Sequence, residues 1–287
     1  MKALKRLPLW AWLVIALAAL VALVLLPGGS KSTFDVSGEF LLHPIIRLPK
    51  VGPFDLSITK PVIYLWIAVL VVCLFAALVN RGLKTKPGRL QVAMEGIYEL
   101  ARDGIAGAVM KGGGADTWFP YIGGAFVFIL VCNLVGLIPL PFGVGHQLAF
   151  YAATGNINVT ITLAVFTFVF THYAGVRKKG PVGYIKSWVI PAPPVLKQFI
   201  FVSDVISEMF RLVSLSVRLF ANMIAGHFIL AVFFAMVLVF QSYLLGVVLQ
   251  VGSVAVFMFE IFVACIQAFI FAILSAVYIG TALEEEH

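Results

Sequence analysis

Between residues 197 and 235 an apolar run is interrupted by Asp204, Ser207, Glu208, Arg211, Ser214, Arg218 and Asn222, spaced three, one, three, three, four and four apart. At about 100° per residue these positions fall within an arc of roughly 120° on a helix. One wet stripe therefore runs along an otherwise lipid-compatible cylinder. Asp204, Glu208 and Arg211 read equally well as solvated charges near a membrane surface. Arg218 does not, because it lies about two turns deeper, between Val217 and Leu219-Phe220. An arginine at the centre of a membrane helix costs about 2.5–3.5 kcal/mol on insertion scales. A guanidinium keeps its proton in proteins, so Arg218 cannot escape that cost by neutralising. Asp204 is fourteen residues away, about 21 Å along a helix. The expected partner is a carboxylate on another helix or another chain; an internal ion pair with Glu260 is the alternative.

A second stripe follows. Ser253, Glu260 and Gln267 are seven residues apart, and Tyr278 falls on the same helical line. His227 is nine residues beyond Arg218, on nearly the opposite face of the first long helix. A Glu and a His within reach of each other inside a membrane form a proton relay, or a static hydrogen bond that fixes helix register. No soluble-enzyme constellation is present: there is no P-loop, no Rossmann glycine pattern and no HExxH. The run Gly112–Gly114 lacks the Lys-Ser/Thr ending that cradles phosphate. Cys73, Cys132 and Cys265 lie in apolar stretches without metal-ligand spacing and read as packing residues. No metal, cofactor or catalytic residue is expected in the chain itself. Mobile protons or ions fit these residues better than bond-making does.

The elements that carry the stripes are membrane spans. The chain of 287 residues is 62% hydrophobic and 11% charged, where soluble proteins carry about 25% charged residues. The net charge of +7 sits in short clusters beside apolar runs, which the positive-inside rule explains without nucleic acid. Residues 1–30 read as a signal-like segment or a first transmembrane helix; no small-residue cleavage site is evident, so a retained helix is preferred. Spans are expected at about 61–79, 119–140 and 157–176, with long helices at about 197–235 and 240–282. Lys84, Lys86, Arg89 and Arg177-Lys178-Lys179 mark cytoplasmic ends. Residues 88–107 form an amphipathic helix on the inner surface or against a partner, followed by a hinge at Lys111–Gly114. The Pro-rich stretch 181–194 reads as a re-entrant or surface connection. Helices of nearly twice the roughly 20 residues a bilayer needs must tilt steeply, bend or project. The expected fold is an all-α, multi-pass helical bundle whose two long, strongly tilted C-terminal helices form a hairpin joined near Gln241–Gly246.

Ser214-Leu215-Ser216-Val217-Arg218-Leu219-Phe220-Ala221-Asn222-Met223-Ile224-Ala225-Gly226-His227 resembles the signature helix of subunit a of F-type ATP synthases, S-L-x-x-R-L-F-x-N-M-x-A-G-[HE]. Gln267-Ala268-Phe269-Ile270-Phe271 and Tyr278, with the segments Asn133–Pro139 and Asn156–Thr160, resemble further family motifs in the same order. The resemblance covers roughly residues 35–287, and the domain it implies spans 31–287. It implies that the hairpin faces a rotor ring of c subunits and that Arg218 meets the ring carboxylate. Asn222 and Gln267 match polar neighbours of that arginine, His227 and Glu260 an outer half-channel, and Asp204 and Ser207 a cytoplasmic half-channel. Some members carry Glu first and His second; here the order is exchanged. Asn156 and Gly136 stand where Asp is found in other members, which leaves more of the outer path to His227, Glu260 and water. The implied partners are the c-ring, b-type peripheral stalk subunits, membrane lipid and protons, in the H⁺-transporting two-sector ATPase of a bacterial plasma (inner) membrane. Two alternatives stay open on sequence: a secondary transporter, expected to show inverted repeats and broken helices, and a non-transporting membrane-assembly subunit.

Overall fold

The computed structural model describes residues 44–47, 57–82, 88–110, 114–138, 151–188, 193–240 and 243–284. The expected N-terminal segment 1–30, most of the hinge at 111–114 and the tail 285–287 lie outside the described residues. A short antiparallel pair, β1 Pro44–Ile46 and β2 Ile58–Thr59, leads into the helices. Otherwise the regular structure is helical. The helices are α1 Lys60–Gly82, α2 Arg89–Glu99, a π-helical segment Leu100–Ala106, α3 Gly107–Val109, α4 Gly114–Gly136, a 3₁₀ turn Ala153–Gly155, α5 Ile157–Lys179, α6 Pro181–Ser187, α7 Pro194–Phe240 and α8 Tyr243–Leu283. Five of them, α1, α4, α5, α7 and α8, are long and apolar enough to cross a membrane.

Local chemistry sets most boundaries. α1 carries Pro61 in its first turn, where a missing N–H costs nothing. α4 starts at Gly114, five residues before the expected 119, and ends at Gly136 rather than 140. Its first turn holds Asp116, which accepts a hydrogen bond from Arg102 Nη2 at 2.9 Å and complements the helix dipole. α5 is capped by Asn156, whose side chain accepts from the Asn158 N–H at 2.9 Å. Its last turn is Arg177-Lys178-Lys179, and it stops at Gly180, whose φ of 73° suits glycine. The chain then turns into α6, opened by Pro181, in the stretch expected only as a connection.

The amphipathic segment finds its partner in its own bundle. Ala101, Ile105 and Ala106 are buried where the π-helical segment packs on α4. The wider π turn brings these three closer to one face than an α-helix would. Val92 and Tyr98 remain exposed on α2.

α7 has 47 residues and α8 has 41, about 70 and 60 Å at 1.5 Å per residue. Both run without interruption through a length that needs only about 20 residues to cross. α7 overruns the expected 197–235 at both ends; α8 begins at 243 rather than 240 and ends at 283, one residue past the expected 282. α8 packs against α4, α5 and α7. It manages three neighbours because Ala264, Ala268, Ala272, Ala276 and Gly280 repeat every fourth residue and are all buried. Small residues let helix backbones approach closely where lipid offers no hydrophobic drive. Leu215, Leu219 and Met223 of α7 join Phe271 and Ile279 of α8 and Ile122, Phe126 and Ile129 of α4 in the main core. A second cluster gathers Tyr64, Ala68, Cys132, Val135, Tyr151 and Ala153. Cys132 is thus a packing residue as expected. Cys73 and Cys265 are not: both lie on exposed helix faces, because hydropathy alone cannot tell a lipid-facing position from a core one.

Candidate functional site

α7 presents two faces. Leu215, Ser216, Leu219, Met223 and His227 are buried, while Ser214, Val217, Arg218, Ala221, Asn222 and Ala225 are exposed. The half-turn expected between Arg218 and His227 is therefore present. Phe210 and Val213 continue the exposed apolar surface along α7, and Met258, Phe259 and Phe262 are exposed on α8. Among the described residues Arg218 forms no hydrogen bond and no ion pair, whereas Arg102 pairs with Asp116 and Arg211 with Glu208. The internal Arg218–Glu260 pair is absent. One turn on, Asn222 Nδ2 donates to Gln267 Oε1 at 2.6 Å. That bond brings together the polar positions expected beside the arginine, and it ties α7 to α8 with Gln267 only 1% exposed.

Toward the other end of the hairpin His227 and Glu260 are both buried. The Glu260 carboxylate packs on Gly226, the residue before His227. A Cβ at Gly226 would overlap the carboxyl carbon and both oxygens of Glu260. Glu260 thus reaches the α7 backbone one residue from His227, and no hydrogen bond joins the two side chains. Both His227 ring nitrogens are buried without a hydrogen-bond partner. A static register-fixing bond is not formed between them. Ser253, further along the same line of α8, donates to the Gln250 carbonyl at 2.8 Å.

A buried polar link stands near this end that the sequence reading did not single out. Thr154 Oγ1 donates to Asn133 Oδ1 at 2.6 Å, and Asn133 Nδ2 donates to the Ala264 carbonyl at 3.3 Å. Both side chains are fully buried. The link joins α4, the 3₁₀ turn and α8. The signal was a lone Asn in an apolar run, whose partner on another segment is invisible in one sequence. Gly136 lies where a Cβ would overlap the Ala152 backbone, so the absence of a carboxylate there has a steric cause. Asn156 acts as the α5 cap already described.

At the opposite end stands the basic turn Arg177–Lys179, the one expected on the cytoplasmic side. Lys178 Nζ donates to the Leu283 carbonyl at 2.6 Å, which brings the end of α8 to the same level. Here a cavity of about 210 Å³ opens, lined by Lys179, Tyr184, Trp188, Asp204, Ser207 and Thr281 among others. The two residues expected at this side, Asp204 and Ser207, both lie in its wall. Glu208 and Arg211 line it as well. They form an ion pair with Nη1–Oε1 at 2.5 Å, and the Arg211 guanidinium stands 5.4 Å from the centre of the Tyr278 ring. Their place in the cavity wall does not follow from the sequence, where they read equally well as solvated charges or as part of the polar stripe. α6 forms one side of the cavity. Tyr184 seats against Gly175, where any Cβ would strike its ring. Burial pushes the Tyr184 phenol above its usual range, with the hydrogen bond to Trp188 acting the other way.

The arrangement gives a cavity lined by carboxylates at the basic end, a buried acid and imidazole toward the other end, and between them, on an exposed face, an arginine with no ion pair among the described residues. No group of three His, Cys, Asp or Glu residues among the described ones is placed to hold a metal. A profile of the family described as ATP synthase A chain matches residues 62–280. The ATP synthase subunit a of Rubrobacter xylanophilus is 40% identical over 248 residues, which cover 85% of this chain and 91% of that one. The ATP synthase subunit a of Chlorobium phaeobacteroides is 37% identical over 262 residues, covering 89% and 72%. The ATP synthase subunit a 2 of Prosthecochloris aestuarii is 36% identical over 276 residues, covering 90% and 82%.

Proposed function

The chain belongs to the ATP synthase A chain family, and from that premise we propose that it is a proton-conducting stator in an energy-coupling membrane, the bacterial plasma membrane. Its partners in this reading are a ring of small c subunits, each with a carboxyl in mid-membrane, and a b-type peripheral stalk. A proton enters from outside past His227 and Glu260 and neutralises a ring carboxylate. A neutral carboxyl turns into lipid at little cost, whereas an ionised one costs several kcal/mol. After nearly a full turn the carboxyl reaches the cytoplasmic cavity with Asp204 and Ser207 and loses its proton. Arg218, between the two halves, attracts the ionised carboxylate and repels a hydrated proton, so protons do not cross without rotation. Asn222 and Gln267, joined to each other, hold the backbone on either side of that step.

The observation that carries this reading is Arg218 itself. It is a permanent cation on the exposed face of α7, with no acidic partner among the described residues of its chain. A tight internal bridge would have to be broken at each step; an unengaged guanidinium does not. The uninterrupted α7 and α8 favour this reading over a secondary transporter built on broken helices. An assembly subunit has no use for an unpartnered cation in an apolar surface. The test is Arg218→Ala in the assembled complex. Proton-driven ATP synthesis is expected to vanish while the c-ring still co-purifies. Full coupled synthesis in that variant would refute the assignment.

A further inference from the structure

We propose that Glu208 is a proton relay at the neck of the cytoplasmic cavity, with Arg211 as its countercharge and the Tyr278 ring as that cation's second seat. The proposal rests on the reading of the chain as a proton-conducting stator and adds a residue to it.

The cavity has two parts. Beside the wide part of about 210 Å³ lies a small inner volume of about 10 Å³, lined by Thr167, Thr171, Glu208, Arg211, Leu215 and Tyr278 among others. An inner volume of that size has room for about one water, and the Thr hydroxyls and charged pair supply its polar partners. Four residues line both parts: Thr171, Glu208, Arg211 and Tyr278. Glu208 is the one carboxylate among the described residues that touches the inner part; Asp204 lines only the wide part. The inner part follows α7 toward Leu215, one turn short of Arg218. A proton moving from the Arg218 level to the cytoplasm therefore meets Glu208 before any other acid.

The surroundings let Glu208 change charge without leaving a stranded ion. Its side chain is 19% exposed and paired with Arg211. When a hydronium in the inner volume gives its proton to a Glu208 oxygen, one O–H bond forms, one breaks, and neutral water remains. The carboxyl no longer holds Arg211, but the guanidinium already lies over the Tyr278 ring, whose face attracts cations. The proton then passes to water in the wide part, and the restored carboxylate takes Arg211 back. The other groups around Glu208 are Asp204 on its own helix, His172 and Lys179 on α5, Tyr184 on α6 and Tyr278 on α8. Arg211 and Lys179 balance Asp204 and Glu208, so the cavity is close to neutral before the proton arrives.

The experiment measures ATP-driven proton pumping by the full complex in membrane vesicles, with Glu208→Gln. The amide keeps the shape and a hydrogen bond to Arg211 but cannot take up and release an acid proton. Flux is expected to fall about tenfold or more, with c-ring co-purification unchanged, and to recover when sodium formate supplies a small diffusible acid on the cytoplasmic side. If the amide fails to assemble, Glu208→Ser in the same assay gives the same pair of readings with more room for formate. Undiminished flux, or a loss that formate does not restore, would overturn the relay. Arg218→Ala run in parallel separates the two ideas. Lost coupling there with normal flux in Glu208→Gln removes only the relay, while intact coupling there removes the stator reading itself.

Discussion

Replacing Gly226 by alanine sets a methyl group where the Glu260 carboxylate now lies. The overlap involves the carboxyl carbon and both oxygens, all at the flexible end of a side chain, so the chain end moves and the backbone stays. Alanine in a helix interior is favoured over glycine by about 1 kcal/mol. Moving Glu260 off its rotamer costs about 0.5–1.5 kcal/mol. These terms nearly cancel, so assembly and thermal stability should change by less than about 1 kcal/mol. Proton transfer responds differently, because a displacement of about 1 Å at a reacting group can cost on the order of a hundredfold. The expected result is normal co-purification of the complex with ATP-driven proton pumping reduced at least tenfold, about 1.4 kcal/mol or more of barrier. Gly252→Ala is the control. Its Cβ would first meet the Phe233 ring, at 2.9 Å, and flux should hold. Combining Gly226→Ala with Glu260→Asp withdraws the carboxyl by one methylene and should recover part of the flux, a coupling that a double-mutant cycle quantifies. Parental pumping in Gly226→Ala would refute the claim that the position of this carboxylate matters.

Two further outcomes are expected. Asn222→Leu leaves the buried Gln267 amide without its partner and should destabilise the subunit by about 1–3 kcal/mol in thermal unfolding, with much of that recovered by adding Gln267→Leu. Burial pushes the Tyr151 phenol from 10.0 up to about 12. The unfolded chain therefore releases this proton first, and the stability present below pH 10 is lost as pH rises from 10 through about 12. Thermal unfolding across that window should be flatter in Tyr151→Phe than in the parent.

The stripes were legible because periodicity is a property of one helix at a time. Arg218 exposed and His227 buried follow from a nine-residue separation, and Asp204 and Ser207 share a wall with Glu208 because they share a face of α7. What one sequence does not carry is register between helices. The contact of Glu260 with Gly226 and the Asn133–Thr154 link each depend on which turn of one segment meets which turn of another. The cavity is hidden for the same reason, since Lys179, Tyr184, Asp204 and Tyr278 come from four different helices. The cysteines show a further limit. Cys73, Cys132 and Cys265 sit in equally apolar runs, and in lipid the outside of a bundle is as apolar as its core. The start of α4 at Gly114 was missed because polar residues such as Asp116 and Thr117 belong to the helix although they extend past its apolar stretch.

The proposed role loads α7 sideways, since every ring step that passes Arg218 pushes on it and the helix must push back. A rod about 70 Å long bends easily when thrust falls between distant supports. The supports here are close. Two residues before Arg218, Ser216 is joined to Thr160 of α5 through their hydroxyls at 3.1 Å. Four residues after it, Asn222 is joined to α8 through Gln267. The loaded point therefore sits on a short, doubly clamped span, backed from two directions by different helices. In that role, recoil at Arg218 would pass into α5 and α8 within little more than one turn, through the two bonds that flank it.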